Sequence, residues 1–310
     1  MAHPRFPARR TSLHVPPERF AMRLLPRACL IPTVKAAIGF LMATAWSATA
    51  PVSAATAGGC TAASPAYTLA LAELYTSEGC DSCPPADKWL SGLAAKGWGP
   101  DKVVPLSLHV DYWDYIGWKD VFAQRQFTAR QRNLAKLGGS TFVYTPQVVL
   151  AGRDFRGWSG GAFDAQVKAV NARPARADIE LALSLANGQV SIIASATGKS
   201  GTSAALVAPG ASGAAGAAGN RAQLFVALTQ NRIVSPVKSG ENRGVTLKHD
   251  YVVREWLAPA PLGADGKARI EKQIVPPKGA PTNDLGVVAF VQDVATGEVL
   301  QALKLEACRG

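Results

Sequence analysis

Between residues 67 and 173, short apolar runs alternate with amphipathic segments. Residues 69–75, a mostly apolar run, predict a buried strand, and residues 103–110 a second strand. Residues 84–96 and 120–137 carry apolar positions at helical spacing, and the second of these segments stops at Gly138-Gly139. Residues 145–150 predict a third strand entered through Pro146, and residues 153–158 a fourth after an Ala151-Gly152 turn. Residues 162–171 predict a closing helix. Such alternation predicts an α/β domain over residues 61–173, a mixed sheet flanked by helices with a helical insertion after its second strand.

Beyond Pro174 the period changes from helical to two. Residues 179–185, 189–196, 222–228, 245–256, 268–274, 286–293 and 298–305 alternate apolar with polar side chains, and Asn187-Gly188, Asp265-Gly266 and Thr296-Gly297 supply turns. Seven such strands predict an all-β, sandwich-like second domain over residues 174–308. Within it, residues 198–219 contain 17 Gly, Ala or Ser out of 22 and are expected to be a disordered loop.

The first 54 residues follow neither pattern. Arg23, Arg27 and Lys35 precede an apolar stretch at 36–46, and Val52-Ser53-Ala54 is a small-residue pattern of the kind a signal peptidase cuts. The expectation is a secretory leader cut near Ala54, with Met22 as the true start. The mature protein is then periplasmic or secreted, with no stable membrane insertion, because Ser, Thr and Pro dilute the apolar stretch.

This leader changes what the composition means. The whole chain has 33 Lys and Arg against 22 Asp and Glu, a net charge of +11 that would suit nucleic acid. Residues 1–54 hold seven of the basic residues and one Glu, so 26 and 21 remain and no nucleic-acid partner is expected. The leader also holds Cys29, leaving Cys60, Cys80, Cys83 and Cys308, an even set in a compartment where disulfides persist.

The strongest chemical signal is Cys80-Asp81-Ser82-Cys83-Pro84-Pro85, placed after the first strand and at the mouth of a helix. A helix start offers unpaired N–H groups and partial positive charge, which favour a thiolate. Cys80 is then the attacking nucleophile and Cys83 the resolving thiol. Asp81 opposes the thiolate, whereas Pro84 and Pro85 suit a first helical turn. Thr145-Pro146 opens the third strand, where a cis proline in a fold of this order would bring backbone against the dithiol, alongside an extended substrate. A plain structural proline at a strand entry is the alternative.

These features resemble the thioredoxin-like superfamily. More narrowly, residues 73–87, His109-Val110-Asp111-Tyr112-Trp113-Asp114-Tyr115, Gly117-Trp118, Arg130-Gln131-Arg132 and Val143-Tyr144-Thr145-Pro146-Gln147-Val148 resemble a secreted bacterial family catalogued as domain of unknown function 1223. The superfamily resemblance implies a thiol fold with Cys80, Cys83 and Pro146 as its site. The narrower family brings no established activity. Unlike thioredoxin proper, this chain has no Gly-Pro between its cysteines and carries a long insertion from Asp111 to Ser140.

The insertion begins at the end of the second strand, on the edge where such folds place their sites. Tyr112, Trp113 and Trp118, with Thr145, are candidates for a substrate groove, and His109 or Asp111 for proton exchange with Cys83. The alternative is that the aromatics cap a core and the acids cap turns. Arg125, Arg130, Arg132 and Lys136 are expected on a solvated helix face. In the second domain, Lys238–Gly244 with residues 247–254 either face the dithiol or form an exposed hairpin turn. Four cysteines allow three pairings; the nearness of Cys80 to Cys83 leaves Cys60 with Cys308 as a structural disulfide closing a very long loop.

The functional expectation is a thiol–disulfide oxidoreductase whose partner is a disulfide-bearing protein or a small thiol. It needs no cofactor and no metal. The alternatives are a non-catalytic binding module with a structural Cys80–Cys83 bond, and a Cu(I)-handling protein using Cys80, Cys83 and His109. No phosphate loop, Ser/His/Asp arrangement, dinucleotide fingerprint or haem attachment is present.

Overall fold

In the computed structural model the described residues are 59–199 and 221–308. The expected leader at 1–54 and most of the Gly/Ala-rich loop at 198–219 lie outside them. Among the described residues no helix is long and apolar enough to cross a membrane.

The chain opens with β1 (Gly59–Ala63), β2 (Ala70–Thr76), α1 (Pro84–Ser91), β3 (Val103–His109), α2 (Arg125–Leu137), β4 (Gln147–Leu150), β5 (Arg153–Asp154) and α3 (Gly161–Asn171). It continues with β6 (Ala177–Ala186), β7 (Gln189–Gly198), β8 (Ala222–Gln230), β9 (Ile233–Pro236), β10 (Thr246–His249) and β11 (Val252–Trp256). The last strands are β12 (Ala260–Pro261), β13 (Lys267–Ile274), β14 (Leu285–Asp293) and β15 (Val299–Glu306).

A mixed main sheet runs β15-β14-β8-β11-β3-β2-β4-β5, with β12 on β8. β3 pairs in parallel with both β2 and β11, and the other pairings are antiparallel. β2 and β3 are buried at every position, Glu73 and Thr76 of β2 and Ser107 and His109 of β3 included. A second, antiparallel sheet, β1-β6-β7-β13, packs on the β8, β14 and β15 side through Leu181, Ile192, Val226, Val287 and Leu303. Its hairpin turn at Asn187-Gly188 has φ of 52° and 70° at the two residues, the left-handed pair that the Asn-Gly sequence favours. β9 and β10 form a separate antiparallel ribbon.

Helices cover both faces of the β2–β4 end. Ala86, Trp89 and Leu90 of α1 pack with Phe163, Val167 and Val170 of α3. Phe127 and Leu134 of α2 cover the other face.

Four expectations are corrected. Residues 174–308 are not a separate sandwich domain: β8, β11, β14 and β15 extend the same sheet as β2–β5, and the described residues fall in one compact unit. The physical reason is that β3 has an open edge unless another strand pairs there, and β11 takes it. The strand expected at 245–256 is broken into β10 and β11 at Tyr251, whose φ of 60° turns the chain. The helix expected from residue 120 begins at Arg125, because Asp120 accepts the N–H groups of Glu78 and Phe122 and holds residues 120–124 in a turn. Arg130 does not join Arg125, Arg132 and Lys136 on the solvated face, but turns inward to Glu73.

Candidate functional site

β2 delivers the chain to a tight turn, and Cys83 caps α1 with Pro84 and Pro85 in its first positions. Backbone bonds from Cys80 N to Ser77 O (3.2 Å) and from Cys83 N to Cys80 O (3.3 Å) wind the turn. Cys80 and Cys83 are joined as a disulfide with their Cα atoms 5.5 Å apart. Both side chains are buried, at 1% and 0% exposure.

Thr145 comes against this pair from the entry to β4. The Thr145–Pro146 bond is cis. Thr145 Oγ1 donates to Cys80 Sγ at 3.4 Å, and Trp113 Nε1 donates to Thr145 Oγ1 at 2.6 Å. The Ser82 hydroxyl lies 3.4 Å from the same sulfur. Beside this segment, a cleft of about 260 Å³ is lined by Phe142, Tyr144, Arg156 and Trp158.

The other expected groove residues adjoin this point: the Tyr112 hydroxyl lies against Thr145, and Trp118 reaches the dithiol turn at Glu78. Tyr112 donates to Gln131 Oε1 at 3.1 Å, and Trp118 Nε1 donates to Glu78 Oε2 at 2.8 Å. Asp111 accepts the Thr128 hydroxyl at 2.5 Å. His109, fully buried at the end of β3, holds Asp120 Oδ2 through Nδ1 at 2.6 Å. Trp113 and Thr145 therefore meet at Cys80, Tyr112 and Trp118 adjoin them, and Asp111 holds the start of the insertion to α2.

The loop between β9 and β10 grips the dithiol turn. Asn242 Nδ2 donates to the carbonyls of Glu78 and Cys80 at 2.9 Å each, and Asp81 N donates to Glu241 Oε2 at 3.2 Å. Ser239 donates to Gly117 O at 2.6 Å, so the same loop also holds the insertion. Residues 238–244 are thus the largely exposed turn of the β9–β10 hairpin and, through Glu241 and Asn242, also face the dithiol turn.

Beneath the turn lies a cluster of titratable groups that the sequence did not reveal as a unit: Glu78, Asp87, His109, Asp120 and His249, each almost fully buried. His249 Nε2 is 3.3 Å from Glu78 Oε1, and its Nδ1 is 3.9 Å from Asp87 Oδ1. Burial disfavours charge on Glu78, Asp87, His109 and Asp120. His109 is nonetheless raised, because the Asp120 carboxylate, with Asp87 and Glu78 beyond, outweighs burial. Asp120 is lowered in turn: its burial is overcome by His109 and by the N–H groups of Glu78 and Phe122. Glu78 is lowered because His249, Ser235 and Trp118 overcome its burial and the repulsion of Asp120. Asp87 is raised, burial prevailing over the two imidazoles and the Thr76 hydroxyl. The signal available in advance was only that Glu78, Asp87 and His249 interrupt segments otherwise destined for the interior.

Cys60 and Cys308 are also paired, with Cα atoms 5.7 Å apart, which joins the start of β1 to the chain after β15.

Fold and site define an α/β protein of a mixed main sheet, a second antiparallel sheet and a two-stranded ribbon, with a buried Cys-x-x-Cys disulfide at a helix start. The chain belongs to the family described as protein of unknown function (DUF1223), whose model matches residues 71–292. A structural-genomics crystal structure of a protein from Agrobacterium tumefaciens is 26% identical, with a TM-score of 0.52, and the match covers 80% of this chain and 98% of that one. HBP35 of Porphyromonas gingivalis is 16% identical with a TM-score of 0.56, the match covering 78% of this chain and 76% of that one, and its likeness concerns the fold alone. No curated protein matches the sequence.

Proposed function

We propose that this protein is an exported, thioredoxin-like thiol–disulfide oxidoreductase acting on protein or small disulfides. The observation that carries the reading is the Cys80–Cys83 pair at the start of α1, with the Thr145 hydroxyl on Cys80 Sγ. In the reduced form, the Thr145 hydroxyl and the positive end of the α1 dipole both favour a thiolate on Cys80. That thiolate attacks one sulfur of a substrate disulfide and expels the other as a thiolate. Cys83 then attacks Cys80 Sγ, forming the Cys80–Cys83 bond and releasing the second substrate sulfur. The substrate gains the two electrons the dithiol loses.

The test is reduction of glutathione disulfide and of a chromogenic aromatic disulfide by the reduced, purified protein. Turnover that Cys80→Ser abolishes is the expected result; no turnover, or turnover indifferent to Cys80→Ser, rejects it. Burial of both sulfurs favours a second reading, a structural disulfide in a binding module. A reduction potential below about −300 mV would support that reading instead.

A further inference from the structure

The dithiol turn is held by bonds of its own and by bonds from a distant part of the chain. Asn242 lies between β9 and β10, more than 150 residues from the cysteines, and is 6% exposed. Its Nδ2 carries two donors and meets two turn carbonyls, Glu78 O and Cys80 O, at 2.9 Å each. Carbonyls only accept, so these partners fix which end of the amide faces the turn. Cys80 O is also the acceptor of Cys83 N at 3.3 Å, the bond that links one cysteine to the other. Asn242 therefore secures the oxygen around which the Cys-x-x-Cys turn is wound.

The loop that carries Asn242 is fixed in its turn. Ser239 donates to Gly117 O at 2.6 Å. Gly240 has a φ of 74°, and a Cβ there would stand 3.1 Å from Trp118 Cβ, so glycine permits both the left-handed backbone and the close approach. Trp118 donates to Glu78 Oε2 at 2.8 Å, and Glu78 N donates to Asp120 Oδ2 at 2.9 Å. Insertion and β9–β10 loop thus hold the start of the turn together, and only Asn242 carries that hold forward to Cys80.

We propose that Asn242 is a positioning residue for the dithiol: by bridging Glu78 O and Cys80 O it keeps the reduced turn in the shape that closes the Cys80–Cys83 bond. It touches neither sulfur. A turn free to open would leave Cys83 in reach of Cys80 for only part of the time, and holding it closed raises the effective concentration of one thiol at the other. With glutathione disulfide as oxidant, the Cys80 thiolate attacks one sulfur and expels a glutathione thiolate. The Cys83 thiolate then attacks Cys80 Sγ, the Cys80–glutathione bond breaks, and the second glutathione leaves as a thiolate. Two electrons pass to glutathione, and the two thiol protons end on its thiolates. Asn242 acts on the second step, and any gain there enters the overall equilibrium constant. The inference requires only that this bond forms reversibly, so it applies to a catalytic and to a structural pair alike.

The test equilibrates the purified protein at pH 7 with glutathione and dithiothreitol redox buffers, traps free thiols by alkylation, and reads Cys80 and Cys83 by mass spectrometry. Asn242→Leu keeps much of the side chain's shape and removes both donors. It should lower the equilibrium constant for closing the bond by roughly tenfold, the worth of two ordinary hydrogen bonds, which raises the reduction potential by about 30 mV. The fraction trapped as Cys80–glutathione mixed disulfide should rise by a similar factor. Ser239→Ala, which loosens the loop and leaves Asn242 in place, should shift both readouts the same way by a smaller factor. Cys60→Ser with Cys308→Ser, a variant that weakens the fold away from the turn, should shift neither. A potential unchanged in Asn242→Leu while urea unfolding shows lost stability overturns the proposal, because Asn242 then supports oxidised and reduced forms equally. A shift toward a lower potential overturns it too, since the loop would then favour the open turn. If Asn242→Leu fails to fold, Ser239→Ala decides by the same two signs. The exchange reading fails separately, through absent turnover of any disulfide, which this equilibrium does not measure.

Discussion

Glu73 has a fully buried side chain in the middle of β2, where a lone carboxylate would be costly. Arg130 reaches it from α2 with two bonds, 2.6 Å from Nε and 3.1 Å from Nη2, and a third bond to Gln292 at 3.0 Å. The guanidinium also lies 4.9 Å from the ring of Phe290, 5.2 Å from Trp256 and 5.3 Å from Phe225. Sequence pattern placed Arg130 with its solvated neighbours, because a basic residue on a helix does not announce a partner 57 positions away. The acid inside an apolar strand was the only hint. Arg130→Met keeps much of the packing and strands Glu73, so it should cost about 3–5 kcal/mol in urea unfolding. Adding Glu73→Gln should recover most of that loss. A cost for Arg130→Met below about 1 kcal/mol, typical of a surface pair, would refute the assignment.

At the scale of elements, the contact that joins β3 to the insertion is the His109–Asp120 pair, both side chains without exposure. His109 takes its proton more readily folded than unfolded, for the reason given by its carboxylate neighbours. Its contribution to stability is therefore full below the unfolded value near 6.5 and is lost as pH rises through the higher folded value. Urea unfolding at several pH values should show stability falling on the alkaline side of about 6.5. Asp120→Asn should flatten that slope while lowering stability at pH 6. A slope that survives Asp120→Asn must come from other groups. Local pattern foretold this insertion's position and both ends of β2 to within a residue, since burial on two faces leaves an unmistakable run. It failed at 245–256, where Asp250 and Tyr251 continue the alternation but turn the chain without a Gly or Pro. The His249 cluster was hidden for a related reason: its members come from β3, α1, β10 and two connecting segments, and only the pairing of β11 with β3 brings β10 over α1.

For the whole molecule, the shared sheet and the Cys60–Cys308 bond act on the same property, cooperativity. β1 and β15 are edge strands of the two sheets, and the disulfide ties them where the Leu181–Val287 core lies between. Gln301 on β15 adds bonds to Leu69 N and to the carbonyls of Pro65 and Tyr67, fastening the segment that leads into β2. A bridge across 248 residues removes much loop entropy from the unfolded chain, worth about 4–5 kcal/mol as an upper guide. Cys60→Ser with Cys308→Ser should therefore lower the unfolding free energy by up to that amount and leave the dithiol turn intact. Because one sheet carries strands from both halves of the chain, tryptophan fluorescence and far-ultraviolet circular dichroism should still report a single coincident transition in the double variant. Trp89, Trp98, Trp113, Trp118 and Trp158 all fall before residue 174, so fluorescence weighted to that half would separate from the strand signal if the halves unfolded independently. Two resolved transitions would restore the two-domain division.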